Sequence, residues 1–119
     1  MVLMLESGAA RLLWAGSIPG EVERELVLEH GVNLKAGVLV QGPAKQGEAN
    51  LTREWLERVE PNFVVRWSRA LEEDSSLSVD FSEQAWMEGI ELWKADDKGC
   101  VFLKPDSRNG DWVTRAWKR

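Results

Sequence analysis

Four short stretches of this chain, at residues 2–5, 38–40, 63–65 and 101–103, are apolar at every position rather than at every second one. A strand that alternates apolar and polar residues can leave one face in water, whereas a strand apolar throughout needs cover on both faces. The chain is therefore constrained to a layered fold with a sheet in the middle, and the segments between the strands must supply the layers.

One layer is legible. After two apolar runs around Glu6-Ser7-Gly8, which read as a hairpin, Gly16-Ser17-Ile18-Pro19-Gly20 leads into a stretch to His30 with Ile18, Val22 and Leu26 at spacing four and Gly31 beyond it. An early proline, acids in the first turn and a glycine stop mark an amphipathic helix. A strand at 37–40 follows, then the polar loop 41–50, then a second helix with Leu51, Trp55 and Val59 at spacing four, ended by Pro61. Beyond the strand at 63–65, residues 66–79 are polar and irregular. Asp80 or Ser82 can cap a third helix through Trp86 and Met87, stopped at Gly89. The remaining runs at 90–93, 101–103 and 112–117, with a turn at Asp96-Asp97-Lys98-Gly99, read as mostly antiparallel strands. Three helices can cover one face of the sheet, and something else must cover the other.

With 119 residues the natural expectation is a single domain spanning 1–119. No apolar run approaches the roughly 18 residues that cross a bilayer, and the apolar start has no basic flank, so it reads as a strand rather than a signal peptide. No membrane contact is expected of this segment. Twenty acidic against fifteen basic residues leave a net charge of −5, which repels a nucleic-acid backbone; the basic end around Arg115, Lys118 and Arg119 reads as a solvated tail. The one cysteine, Cys100, excludes an intrachain disulfide and reads as a small buried residue. Seven tryptophans are many for this length and point to a contact surface as well as a core.

The order of a strand closing on Gly16-Ser17, a helix, the strand ending at Val40, a loop, the helix at 51–59, Glu60-Pro61 and the strand at 63–65 resembles the C-terminal half of the metallo-β-lactamase-like domain, in particular the version at the end of ComEC-type DNA-uptake proteins. The resemblance is one of pattern and order, and it runs through essentially the whole chain. It implies an α/β fold that is half of an αββα sandwich: one mixed sheet with about three helices on one face. It also implies a bacterial setting, with the segment either an extracytoplasmic piece of a larger membrane protein or a small free-standing relative.

The same resemblance implies where metal ligands would stand, and this chain departs from the pattern at each place. Ser17 occupies the position of an aspartate that bridges two metals in the family, and Gly42-Pro43-Ala44-Lys45-Gln46 replaces a His-His-Gly-Ser stretch. No histidine lies between residues 66 and 79, and the family's HxHxDH motif belongs to an N-terminal half not contained here. A serine hydroxyl is a poor bridge between divalent cations, so Ser17, Pro43 and Ala44 are expected to be vestigial ligand positions. With no metal-bound side chain to hold it, the 41–50 loop is expected to be mobile.

Other chemistries find no better footing. His30, at the end of the first helix, reads as a structural partner of terminal carbonyls. Glu21, Glu23 and Glu25, like Glu72, Glu73 and Asp74, read as solvated charges. Ser17 has neither a G-x-S-x-G setting nor a second histidine as base. The expected function is a non-catalytic binding or assembly module without cofactor, the alternative being a fragment of a metal-dependent hydrolase whose missing N-terminal half carries HxHxDH. Because the sheet face that the other half of the domain would bury is left bare, a homodimer through that face is expected, with Trp14 or Trp67 as interface anchors, the alternative partner being the missing half of the fold in a longer parent protein.

Overall fold

The computed structural model describes residues 2–45, 48–67, 89–94, 100–106 and 112–117. Its first element is a hairpin of β1 (Leu3–Ser7) and β2 (Ala10–Gly16). The two-residue turn has positive φ at Gly8 and not at Ala9, the type II′ pattern whose twist suits a hairpin and which asks for glycine at its first central position. Next come α1 (Gly20–His30), a 3₁₀ turn (Gly31–Leu34), β3 (Val38–Gln41), α2 (Arg53–Val59), β4 (Phe63–Arg66) and β5 (Glu91–Lys94). β6 (Cys100–Pro105) and β7 (Trp112–Trp117) form a separate antiparallel pair, with Cys100 opposite Trp117 in the register.

The first five strands make one mixed sheet in the order β1-β2-β3-β4-β5, antiparallel only at β1. Spatial order thus follows chain order, with each helix carrying the chain from one strand to the next. Right-handed crossovers that march in one direction put their helices on one face, and both described helices share a core. Leu13 and Ala15 of β2, Leu39 of β3 and Val64 of β4 pack against Val27 of α1 and Trp55, Leu56 and Val59 of α2. Burying Trp55 alone, with no exposed surface left, stabilises this layer by about 2–3 kcal/mol.

The opposite face carries Leu12, Val38, Val40 and Val65, all buried, under Phe63, Trp67, Leu103 and Trp112. The C-terminal hairpin therefore supplies the second cover. Trp112 donates its indole N–H to the Arg11 carbonyl at 3.0 Å, and its ring lies so close to Gly37 that a Cβ there would sit 3.0 Å from it.

Several expectations change. The face expected to be bare carries the chain's own Leu103 and Trp112, packed on Leu12, Val38, Val40 and Val65 of β2, β3 and β4. The run at 101–103 is in that hairpin and not in the main sheet. β5 pairs parallel to β4, with Phe63 opposite Glu91 and Val65 opposite Trp93, because it closes another crossover instead of folding back. The expected third helix at 80–88 and the turn at 96–99 lie outside the described residues, as do Lys118, Arg119 and the side chain of Cys100. What stands among the described residues is an α/β fold with a mixed five-stranded sheet and two α-helices. Among the described residues no helix is long and apolar enough to cross a membrane.

Candidate functional site

In an α/β sheet, sites form beyond the carboxyl ends of the parallel strands, where helix N-termini and loops converge. That edge here holds the ends of β2, β3 and β4, the loops after β2 and β3, and the start of both helices. It also holds four fully buried polar or charged side chains, Glu23, Gln41, Asn50 and Arg66.

Glu23 stands one turn before Val27 on the buried stripe of α1. Its Oε2 accepts from Gln41 Nε2 at 2.5 Å and from the Leu51 amide at 2.8 Å. Its Oε1 accepts from the Thr52 amide and the Thr52 hydroxyl, both at 3.0 Å. A carboxylate offers about four acceptor positions, and all four are used by this chain. Thr52 is in turn the N-cap of α2, its hydroxyl accepting from the Trp55 amide. Gln41 uses its other end as well, its Oε1 accepting from the Trp55 indole N–H at 2.9 Å.

Asn50 makes a second junction. Its amide nitrogen donates to the carbonyls of Ile18 and Gly42, each at 2.9 Å, and its Oδ1 accepts from Arg66 Nη2 at 2.9 Å. These three bonds lace together the loop after β2, the loop after β3 and the end of β4. Gly42 adds a backbone tie, its N–H donating to the Gly16 carbonyl at 2.8 Å, and the Gly20 amide donates to the Ala49 carbonyl at 2.9 Å. The backbone is bent to allow this: Leu51 sits at φ 55, a left-handed conformation that costs a non-glycine residue on the order of 1 kcal/mol or more. The bend aims its amide at Glu23 while its side chain is fully buried.

The sequence-based positions fall on this edge in part. Ser17 follows the end of β2 and is exposed, while Pro43 and Ala44 follow β3 on the neighbouring loop and are half-buried and buried. The Gly42–Gly16 bond brings these two loops together. The resemblance implies a metal pair at this place, and the residues present do not fit one: Ser17 offers a neutral hydroxyl, and the Pro43 and Ala44 side chains offer no donor. Among the described residues no three His, Cys, Asp or Glu side chains gather into a metal-sized group. His30 is exposed at the far end of α1, about 16 Å of helix away, with Nε2 3.8 Å from Glu29 Oε2. Trp14 and Trp67 are brought together and stack on each other, with centroids 5.7 Å apart and planes 24° apart. Trp14 remains 40% exposed.

Two readings of the sequence need correction. Glu23 is not a solvated helix charge, unlike its exposed neighbours Glu21 and Glu25. The true buried stripe of α1 runs through Glu23 and Val27, one residue beyond the spacing of Ile18, Val22 and Leu26. Nor is the loop after β3 left without an anchor, since Gln41 belongs to β3 and Asn50 pins the far end. Consequently the amides of Gly42, Leu51 and Thr52 should exchange with solvent about as slowly as those of β3, and Asn50→Ala should speed Gly42 and Leu51 by at least about tenfold. Hydrogen exchange read by NMR decides this, and fast exchange at Leu51 in the unaltered protein would refute the anchoring.

Comparison of the chain with family models, with curated proteins and with solved structures returns no match to any of the three.

Proposed function

We propose that this chain is a non-catalytic binding or assembly module built on the C-terminal half of the metallo-β-lactamase-like fold, of the kind that closes ComEC-type DNA-uptake proteins. One sheet with helices on one face would be half of the αββα sandwich. The observation that carries the non-catalytic reading is that the Glu23 carboxylate and the Asn50 amide are spent within the fold. Glu23 spends all four acceptor positions on Gln41, Leu51 and Thr52, and the Asn50 amide spends both ends on Ile18, Gly42 and Arg66. A general base needs a lone pair aimed at substrate, and Glu23 has none to spare. Where family ligands would stand, Ser17, Pro43 and Ala44 bring a hydroxyl and two side chains without donors. In this reading the polar edge has become a clamp that holds together loops a metal holds in active relatives of the fold.

Metal analysis tests it. After dialysis against a weak chelator the protein should carry no stoichiometric zinc or manganese, and it should leave phosphodiester, nucleic-acid and β-lactam substrates intact. About one metal per chain, lost when Ser17 or Glu23 is replaced, would overturn the reading.

A further inference from the structure

We infer that β1 is a self-pairing edge, through which two copies of this chain join antiparallel across a two-fold axis into one continuous ten-stranded sheet. β1 ends the strand order, so among the described residues one side of it has no partner strand. Edges of this kind are normally blunted by lysine, proline or a bulge. β1 has none of these. Its register with β2 is unbroken from Leu3↔Trp14 to Ser7↔Ala10, and its only charged residue, Glu6, is already engaged by Arg11 at 3.1 Å. On the face away from the helices Leu3 and Leu5 are 42% and 55% exposed, beside the 40% exposed Trp14.

The strand's geometry selects both the partner and the register. In a two-residue hairpin the closing pair, here Ser7 and Ala10, exchanges hydrogen bonds, and the pattern alternates from there. Leu5 and Leu3 therefore bond inward to β2, while Met4 and Glu6 turn N–H and C=O groups outward to the free edge. A two-fold axis normal to the sheet preserves faces, so apolar side chains of one copy meet those of the other. Centring that axis on Met4 sets Met4 against the partner's Met4 as a hydrogen-bonded pair, with Val2 against the partner's Glu6 on either side. Leu3 then meets the partner's Leu5 in the close, non-hydrogen-bonded position. A single apolar row runs Trp14, Leu3, then Leu5 and Leu12 of the second copy, and the symmetry repeats it. Moving the axis to Leu5 puts Glu6 opposite Met4 and loses one hydrogen-bonded pair; moving it to Glu6 sets two carboxylates face to face. In the Met4-centred register the two Glu6 residues lie about four residues apart along the strands, roughly 13 Å, beyond a Debye length at physiological salt. Two five-residue edges form an interface at the small end of the specific range, so the dimer is one that dissociates in the micromolar range.

This names a partner for the assembly role and rests on that role, but the two fail separately: metal-dependent activity would remove the non-catalytic reading without touching the edge, and a monomer would remove the edge pairing alone. In sedimentation over a micromolar series the protein should move from the 13.5 kDa chain mass to twice that value. Leu5→Lys, on an exposed position, should keep the far-UV spectrum and raise the dissociation constant at least about tenfold. Met4→Pro, which deletes an outward N–H together with a side chain packed on the helix-side core, should weaken the dimer as much while also lowering the stability of the single chain. Register is read by cross-linking, because the facing Leu3 and Leu5 Cα atoms are expected about 4.5 Å apart, within disulfide reach. With Cys100→Ser in both chains, an equal mixture of Leu3→Cys and Leu5→Cys chains should give covalent dimer under mild oxidation, and neither chain alone should do so. A mass that stays at one chain throughout, a dimer indifferent to Leu5→Lys, or cross-linking by either single variant alone would each overturn the proposal, the first leaving the edge to a strand from some other protein.

Discussion

Glu23→Leu should cost this protein about 3–5 kcal/mol of stability, the scale for breaking a buried charged network from one side. Leucine nearly matches glutamate in size, so packing changes little. What is lost is the acceptor for four donors, two of them buried, the Gln41 amide and the Leu51 backbone N–H, and two half-buried, the Thr52 backbone N–H and hydroxyl. Each such group left unsatisfied costs roughly 1–3 kcal/mol, and partial relaxation or an entering water keeps the sum below four full penalties. Because a domain of this size is stable by only about 5–15 kcal/mol, the variant should sit near the edge of folding. Glu21→Leu and Glu25→Leu, on exposed positions of the same helix, should shift stability by no more than about 0.5 kcal/mol. Urea midpoints at unchanged slope measure all three, and a Glu23 variant as stable as the Glu25 variant would show that the clamp carries no load.

The second large effect is steric. A Cβ placed on Gly42 would lie 2.3 Å from two ring carbons of Trp67 and 2.7 Å from its indole nitrogen. A rigid indole cannot yield by a small side-chain rotation, so Gly42→Ala must drive the ring off the loop and out of its stack with Trp14. Forcing atoms into packed space costs about 1–3 kcal/mol, and the lost stack adds on the order of 0.5–1.5 kcal/mol. Near-UV dichroism should lose the coupled tryptophan signal while far-UV dichroism stays. Adding Trp67→Leu to Gly42→Ala should recover most of the steric part. An independent sum of the two single effects would mean that Trp67 is not what Gly42 accommodates.

Much of the architecture was legible because it rests on local rules. The hairpin at Gly8, the helix stopped by Gly31 and the strand–helix–strand order from β2 to β4 follow from turn chemistry and periodicity acting over a few residues. α2 starts later than its apolar spacing suggests, at Arg53, because Leu51 is spent on a left-handed bend and Thr52 on the cap. The polar clamp was not legible. Arg66 closes an apolar run and reads as the first residue of a polar loop, yet strand alternation places it on the face of Val64, under the helices. Glu23 sits on the buried stripe of a helix whose other acids are solvated, and only the distant Leu51 and Thr52 amides explain it. Both cases share one cause: a charged residue is buried where partners from other elements meet it, and those partners lie 16 to 29 residues away in the chain. The direction of β5 was missed for a similar reason, since the four residues of the strand do not record which way the preceding crossover runs.

The monotonic strand order has a consequence for synthesis on the ribosome. As the chain emerges at roughly 5–20 residues per second, each strand can dock on the edge left by the one before it, and the helical side of the sheet can close as it grows. The other side cannot. Its cover arrives with Trp112, whose bond to the Arg11 carbonyl joins residues 101 positions apart. Leu12, Val38, Val40 and Val65 therefore wait, with only Phe63 and Trp67 beside them, until the hairpin of β6 and β7 has emerged. That late, long-range closure makes the nascent sheet vulnerable to misassembly during the interval, and it makes the C-terminal hairpin the step that commits the fold.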